Sequence, residues 1–298
     1  MLAKRKRGFT LIELIVVMVV TGIIAGTIVV FFKPAVDSYV AVGRRARLTD
    51  MADTALRRMT RDIRLAVPNS IRSPNSQCFE LVPTSDGGRY RMGPDTVWDG
   101  AHPVPPGLDS NLSKPFDGTV AVTVLDVLSP WSSTPPPGAG DWLVIDNQNT
   151  NDVYVGTDRA AIQSVGPPPD PSLGYSRITF ASTQFPSGYN GGRFVVVPSS
   201  QNAVFYVCAG AGVDANGTGT GTLYRFSSYG FNAATPTACP APVATTPIAA
   251  SEVASCSFVY SPTQGATQQS GFVWMNLEIR EQNENVALVY GAHVDNVP

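Results

Sequence analysis

One uncharged apolar run near the start of the chain limits how the rest can be organised. No Asp, Glu, Lys or Arg occurs from Leu14 to Phe32. A helix of about 19 residues, rising roughly 1.5 Å per residue, is just long enough to cross the hydrocarbon core of a bilayer. Basic residues before such a run keep that end of the span in the cytoplasm. Four of them are present here: Lys4, Arg5, Lys6 and Arg7.

Glu13 stands immediately before this run and needs its own explanation. An isolated carboxylate close to the hydrocarbon is unfavourable by several kcal/mol unless it is paired or protonated. A conventional secretory signal would be cut after its apolar region, at small residues such as Ala25 and Gly26, but the apolar pattern continues to Phe32. A plain signal anchor is the simplest alternative, and it leaves Glu13 unexplained.

The stretch "RGFTLIELIVVMVVTGIIAG" resembles the N-terminus of type IV pilins and pseudopilins, which carry class III signal peptides. The resemblance implies that prepilin peptidase cuts between Gly8 and Phe9 and that the new amino group of Phe9 is methylated. It also implies that Glu13 neutralises the N-terminal amine of a neighbouring subunit during filament assembly. The further partners it implies are other major and minor pilins or pseudopilins, an inner-membrane assembly platform and membrane lipid.

A narrower resemblance extends past the apolar run. The segment "RRARLTDMADTALRRMTRDIRLAVPNSIR" and the closing "GAHVDNVP" resemble the larger minor pilins of the mannose-sensitive haemagglutinin (MSHA) type of pilus. They are less similar to the J-type minor pseudopilin of type II secretion and to the W-type minor pilins. The resemblance implies a minor subunit in a complex that primes or caps filament growth. It places the protein in the bacterial inner membrane, with its body in the periplasm, and after assembly in a pilus or pseudopilus.

The chain after Phe32 shows helical periodicity as far as Pro68. Pro34 lacks a backbone donor and is expected to kink or loosen the helix, and Pro68 is expected to end it. Apolar residues recur at three- and four-residue steps, which predicts one buried stripe on the body. The stripe contains Leu48, Met51, Ala52, Ala55, Leu56, Met59, Ile63 and Val67.

Arginines occupy another face of this helix, represented by Arg57, Arg61 and Arg64. The spacings of Asp53 to Arg57 and of Arg58 to Asp62 suit intrahelical ion pairs. Residues 33–72 carry a net charge of +5 and residues 73–298 a net charge of −10. The simple interpretation is a solvated face; the sharper hypothesis is that some arginines meet acidic surfaces of neighbouring subunits. The acidic body also argues against a nucleic-acid partner.

The remainder alternates short β-prone runs with Pro-, Gly-, Ser- and Asn-rich separators, which predicts strands joined by exposed loops. The predicted fold is α+β: a leader at 1–8, a membrane-spanning half-helix at 9–32, an amphipathic half-helix at 33–68 and a mainly antiparallel β domain at 69–298. The last two runs flank "EQNEN" and predict a closing hairpin. The runs are "CFELVPT", "GRYRM", "TVAVTVLDVL", "DWLVID", "DVYVG", "SRITFA", "RFVVVP", "AVFYVC", "TLYRF", "CSFVY", "FVWMNLEIR" and "VALVYGAHV".

Four cysteines follow the apolar run. If the body is exported to an oxidising compartment, they are expected to form disulfides. They are Cys78, Cys208, Cys239 and Cys256. Pairing of Cys208 with Cys239, and of Cys78 with Cys256, is preferred, because the first bond would close the glycine-rich stretch between them. A Cys239–Cys256 bond, which closes a shorter loop, is a near rival.

Chemistry-bearing patterns are sparse, so we expect no enzyme, cofactor or metal. His102 and His293 lack a partner at metal spacing, and no nucleophile elbow, Walker loop or dinucleotide fingerprint occurs. The turn starting at Asp214 begins like a calcium loop, but Arg225 stands where the closing glutamate should be. The oxygen-rich turn at Asp146 is similarly weak. Three other hypotheses stay open: a J-type pseudopilin, an adhesin or binding module using the long loops, and a membrane-anchored periplasmic enzyme.

Overall fold

A long helix leads into a β-rich body in the computed structural model, which describes residues 8–103, 113–186, 191–263, 270–282 and 284–297. The helix α1 spans Leu11–Arg64, and the short helices α2 and α3 span Thr96–Ala101 and Asp152–Val155. The strands of the described chain are β1 (Arg72–Asn75), β2 (Cys78–Leu81), β3 (Asp86–Arg89), β4 (Val122–Val127), β5 (Trp142–Val144), β6 (Arg159–Gly166), β7 (Ser176–Thr183), β8 (Arg193–Val197), β9 (Val204–Ala209), β10 (Gly221–Phe226), β11 (Ile248–Ser261), β12 (Ser270–Glu281) and β13 (Glu284–Asp295). The predicted α+β class is confirmed.

Helix α1 is continuous over 54 residues, including Pro34. It ends at Arg64, four residues before Pro68, so a tertiary contact and not the proline sets its end. The backbone N–H of Thr84 donates to the carbonyl oxygen of Leu65 at 2.8 Å, and Ala66 forms a β-bridge with Pro83. The chain therefore leaves helical geometry at Leu65 in order to pair with the segment that follows β2.

A seven-stranded antiparallel sheet packs on the second half of α1, in the order β1-β2-β9-β10-β11-β12-β13. The predicted stripe is confirmed: Leu48, Ala52, Ala55, Leu56, Met59 and Ile63 are buried, and Met51 packs at its margin. Val67 is buried in a different apolar cluster, beyond the end of the helix. The closing hairpin is also confirmed, but Glu281 pairs with Glu284, so its connection is shorter than predicted.

A second antiparallel sheet has six strands, in the order β3-β8-β5-β6-β7-β4. It closes into a small barrel, because Tyr90, just after β3, bridges Val127 at the end of β4. Two further backbone hydrogen bonds join these edges, from Leu128 N to Arg89 O at 2.8 Å and from Arg91 N to Asp126 O at 3.0 Å. Closure leaves few unpaired strand edges. The barrel is filled by its own side chains, including Tyr90, Ile162, Phe180, Phe194 and Val196.

The buried side chain of Arg72 joins the sheet to the barrel. Its guanidinium lies 3.5 Å from the ring centroid of Tyr154 and donates to Glu80 Oε2 at 2.6 Å, to Asn151 Oδ1 at 3.0 Å and to the Asn232 carbonyl at 2.6 Å. The Tyr229 hydroxyl donates to the other oxygen of Glu80 at 2.6 Å. The Arg72 and Glu80 side chains are 3% and 0% exposed, so water cannot replace these contacts.

One predicted strand is wrong. The run "DVYVG" forms the single helical turn α3, which ends at Gly156 in the left-handed conformation, with φ of 99°. The Val153 amide donates to Asn147 Oδ1, and Val153 and Tyr154 are buried between the barrel and the sheet. Burial at this junction overrides the β propensity of the run. The sequence prediction also missed β1, β6 and α2.

The four cysteines form two disulfides, but the preferred connectivity was wrong, as was its rival. Cys78 bonds to Cys239, and Cys208 bonds to Cys256. Cys256 lies three residues beyond Val253, the partner of the first β10 residue, Gly221. Past that point β11 runs without β10 beside it and approaches the β1–β2 turn, where Phe258 N donates to Ser76 O. This approach brings Cys256 to Cys208, and Cys239 fixes its loop to the outer face of β2.

Removing the Arg72 guanidinium should strongly destabilise the body. Arg72→Met leaves Glu80 buried without its cation, and breaking one partner of such a pair reduces the free energy of unfolding by about 3–5 kcal/mol. Arg57→Met is the matched control, since it breaks an exposed pair worth roughly 0.3–0.5 kcal/mol. Urea unfolding of both variants in detergent, followed by tryptophan fluorescence, measures the difference. Equal small losses would show that Arg72 does not hold the junction.

Asp158 should make stability pH-dependent. No other described residue forms a hydrogen bond to either oxygen of this fully buried carboxyl group. Burial, and then repulsion by Asp152, raises the pKa of Asp158 to about 7. The unfolded value is about 3.9, so the folded state binds the proton more tightly. This contribution is complete below pH 4 and is lost as pH rises through 7, amounting to roughly 4 kcal/mol.

Asp158→Asn removes this titration. We expect the unfolding free energy of the variant to rise relative to that of the wild type between pH 5 and pH 8. The reason is that only the folded wild type has a buried carboxyl group at position 158 that ionises in this range. Any pH-independent effect of the amide changes the unfolding free energy by the same amount at every pH. It does not change the slope of unfolding free energy against pH. Parallel pH profiles for the two proteins would contradict the prediction.

Candidate functional site

The processing and assembly residues predicted from the sequence lie at the start of α1. Thr10 is the N-cap, with φ of −84° and ψ of 154°, and its hydroxyl accepts from Glu13 N at 3.3 Å. Glu13 Oε2 accepts in return from Thr10 N and Thr10 Oγ1, both at 2.9 Å. These contacts form a capping box, which satisfies free amides of the first helical turn. The spacing Thr-x-x-Glu is a sequence signal for this motif that the prediction overlooked.

The Gly8–Phe9 bond is open to a protease. Gly8 is exposed, a Cβ built on it would meet no atom within 4 Å, and Phe9 is 85% exposed. Both capping donors belong to Thr10, so a cut after Gly8 leaves the box intact. No described residue donates to Glu13 Oε1, which therefore stays available to a donor from another chain. The basic leader residues Lys4 to Arg7 lie outside the described residues.

The first half of α1 projects from the body without covering. Every residue from Gly8 to Val40 is exposed, and Leu48 is the first buried side chain of the helix. Burying one Val, Leu, Ile or Phe side chain is favourable by about 1.5–3 kcal/mol. An apolar surface of this extent is a binding or membrane surface, and the helix is long and apolar enough to cross a membrane. The large exposed side chains are Phe9, Leu11, Ile12, Leu14, Ile15, Val16, Val17, Met18, Val19, Val20, Ile23, Ile24, Ile28, Val29, Val30, Phe31, Phe32, Val36, Tyr39 and Val40.

A group of ion pairs, here called the collar, fixes α1 where it leaves the body. Arg45 lies 2.7 Å from Glu284, and Arg47 contacts both Glu252, at 3.0 Å, and Glu281. The hydrogen bond from Arg47 to Glu281 raises the pKa of that arginine. Arg44 also lies 3.4 Å from Glu281. The collar joins α1 to β11, β12 and β13 at the point where the projecting half begins. Sequence reasoning missed it, because its partners are more than 200 positions apart.

The arginine face of α1 is only partly engaged. Arg57 pairs with Asp53 at 2.5 Å, as predicted, and this contact lowers the pKa of Asp53. Asp62 does not pair with Arg58 among the described residues; it accepts from Arg225 at 2.9 Å and from the Tyr206 hydroxyl at 2.7 Å. Arg61 and Arg64 are exposed. Whether they contact a neighbouring subunit stays a hypothesis.

The minor candidates have ordinary contacts. His102 stacks on Trp98 with ring centroids 3.8 Å apart, and His293 packs edge-on against Phe272. Asp214 Oδ1 accepts from the backbone amides of its own turn, at Asn216 and Thr218. Within the described ranges, no group of three or more His, Cys, Asp or Glu side chains has the arrangement of a metal site.

Comparison with known proteins identifies one feature. Residues 3–29 match the family model for the prokaryotic N-terminal methylation motif. No curated protein and no solved structure was found to match the chain. The motif supports a type IV pilin-like protein and implies processing by prepilin peptidase and assembly with pilin-type partners. Together with the exposed apolar helix, it indicates membrane anchoring.

Thr10→Ala should open the first turn of α1. Loss of an N-cap hydroxyl reduces helix stability by about 1 kcal/mol, which corresponds to roughly fivefold faster amide exchange. Thr10→Ser keeps the hydroxyl and should exchange like the wild type. Hydrogen exchange of residues 11–14 in lipid nanodiscs measures both variants. Identical exchange in Thr10→Ala and Thr10→Ser would mean that the capping box does not stabilise this turn.

Proposed function

We propose that the protein is a non-enzymatic minor pilin or pseudopilin that joins a complex priming or capping the assembly of an MSHA-like type IV pilus. Prepilin peptidase cuts between Gly8 and Phe9, and the new amino group of Phe9 is methylated. Before assembly the protein crosses the inner membrane once, with its body in the periplasm. One observation carries this proposal: a methylation motif opens a wholly exposed apolar half-helix that continues without a break into the helix packed on the folded body.

The capping box supports a role for Glu13 in assembly. The unassembled chain keeps this carboxylate at the edge of the membrane because Thr10 supplies two donors to one of its oxygens. The second oxygen can accept from the methylated amine of a neighbouring subunit. An ion pair at this depth is strong, because little water competes for either charge. Filament formation then adds a partner to Glu13 without breaking its local bonds.

The size of the body supports a minor position in the filament. A seven-stranded sheet and a closed six-stranded barrel together are hard to accommodate at every step of a thin helical fibre. A place at or near one end of the filament removes this constraint. By family resemblance, the subunit at the very tip lacks the glutamate. Retention of Glu13 therefore favours a place just below the tip.

The same geometry serves a J-type minor pseudopilin of a type II secretion system. Both functions use the cut at Gly8, the exposed half-helix and Glu13. They differ in output, since loss of the protein would remove surface pili in one case and protein secretion in the other. A deletion strain scored for both outputs separates them.

Processing and assembly are tested together in the native host. We expect the wild-type protein to have an intact mass that begins at methylated Phe9. Glu13→Ala should be cut normally, with filaments lost or strongly reduced, because the neighbouring amine then has no partner. Asp37→Ala is the matched control, since it removes an exposed carboxylate from the same helix outside the apolar run. It should leave the filament count unchanged.

Two results would contradict the proposal. One is a mature protein that still carries Lys4 to Gly8, which would make the segment a plain anchor. The other is an unchanged count of filaments, and unchanged secretion, in both Glu13→Ala and the deletion strain. That result would direct attention to a binding or catalytic role of the body.

A further inference from the structure

A cavity of about 420 Å³ lies where the end of α1 meets the outer face of the barrel. Its volume is within the range of pockets that bind small ligands, about 300–1,000 Å³. Part of its wall is apolar and includes Leu65, Val144 and Val195. The other part is cationic: Arg64 comes from the last turn of α1, Arg89 from β3 and Arg193 from β8.

The two strand arginines lie side by side, and neither has an ion-pair partner among the described residues. Arg89 and Arg193 are directly opposite each other in the β3–β8 ladder, where like charges destabilise a sheet. Neither side chain forms a hydrogen bond or an ion pair with any residue that the structure describes, and the same is true of Arg64. This contrasts with Arg72 and Arg177, whose carboxylate partners lie 2.6 and 2.7 Å away. Three guanidinium groups that line one cavity and have no ion-pair partner among the described residues suit an anion, which they can bind by forked hydrogen bonds.

Two aspartates limit the kind of anion. Asp146 and Asp295 also line the cavity, so a densely charged group such as phosphate would meet repulsion there. A carboxylate that is attached to a chain with N–H donors and apolar side chains fits all three parts of the lining. In such a complex the carboxylate would lie against the arginines, an N–H donor against Asp295, and the apolar groups against the wall at Leu65 and Val195.

We propose that this cavity binds a carboxylate-bearing peptide segment, one that carries both acidic and apolar side chains. The site lies on the body, at the far end of the buried half of α1 from the membrane. The inference does not rest on the role of Glu13 in filaments, and binding by the isolated protein would stand even if assembly failed.

The test uses the full-length protein in detergent and a fluorescent hexapeptide of alternating leucine and glutamate. Its glutamine counterpart supplies the same shape without charge. We expect binding of the acidic peptide, weakened by salt, and binding of the glutamine peptide that is about tenfold weaker or more. Equal affinity for the two peptides would overturn the proposal, as would tighter binding of an oligomer of galacturonic acid, which would assign the cavity to acidic sugars.

Paired variants locate the site. The double variant Arg89→Gln with Arg193→Gln should bind the acidic peptide at least roughly tenfold more weakly than the wild type does. The control is Arg58→Gln with Arg61→Gln, which removes the same charge from exposed α1 positions outside the cavity lining. The control should retain its affinity. Equal weakening in both double variants would reduce the effect to overall charge and overturn the assignment.

Melting temperature separates binding from folding. Because Arg89 and Arg193 repel each other in the ligand-free protein, replacing both should leave the melting temperature unchanged or raise it. The acidic peptide should raise the melting temperature of the wild type and of the control, but not that of the cavity variant. A cavity variant that melts well below the wild type would show that the two arginines hold the fold, and would overturn the proposal.

Discussion

The apolar stripe of α1 is buried along one face of the seven-stranded sheet, and this contact determines the position of everything else. It begins at Leu48 and ends at Ile63, so only the second half of a 54-residue helix is covered. The first half must find its partners in a membrane or in other helices. The collar marks the boundary between the two halves: its arginines come directly after the exposed half and pair with glutamates on the last three strands. One helix is thus packed on the body at one end and exposed for association at the other.

Beyond the helix, the body depends on buried polar contacts as well as on apolar packing. The barrel is filled by its own aromatic and aliphatic side chains and could not be positioned by that core alone. Arg72 supplies the connection, since its guanidinium reaches β2, α3 and the loop after β10 at once. Two disulfides add covalent links, from Cys208 on β9 to Cys256 on β11 and from Cys78 on β2 to Cys239 in the loop after β10. The long loops of the body are therefore anchored at a few specific points.

Charge is arranged differently in three places along the molecule. At the membrane end, one oxygen of Glu13 accepts from Thr10, and the other has no donor among the described residues. In the collar, every arginine has a carboxylate from the sheet. At the opposite end of the buried half-helix, Arg64, Arg89 and Arg193 surround a cavity without a partner among the described residues. Glu13 and the cavity arginines can therefore still bind charged groups of a partner, whereas the collar arginines stabilise the contact between helix and sheet.

The sequence alone determined what depends on local pattern. The uncharged run, the residues around Gly8 and Glu13, the 3.6-residue stripe and most of the strands follow from the composition and spacing of neighbouring residues. The family model supports the first of these, and the structure confirms the stripe and eleven of the twelve β-prone runs as strands. Even the capping box was present in the sequence, as Thr-x-x-Glu.

Only the tertiary structure decided what depends on distant partners. The helix stops at Arg64 because residues near Thr84 pair with Leu65, the run at Val153 becomes a helical turn because it is buried at a junction, and Cys256 reaches Cys208 because β10 is short. Closure of the barrel and the pairing of Arg89 opposite Arg193 likewise require strand registers. Local patterns predict whether a residue lies on the buried or the exposed face of its element. Strand register and barrel closure depend on the sum of many weak contacts between segments far apart in the chain.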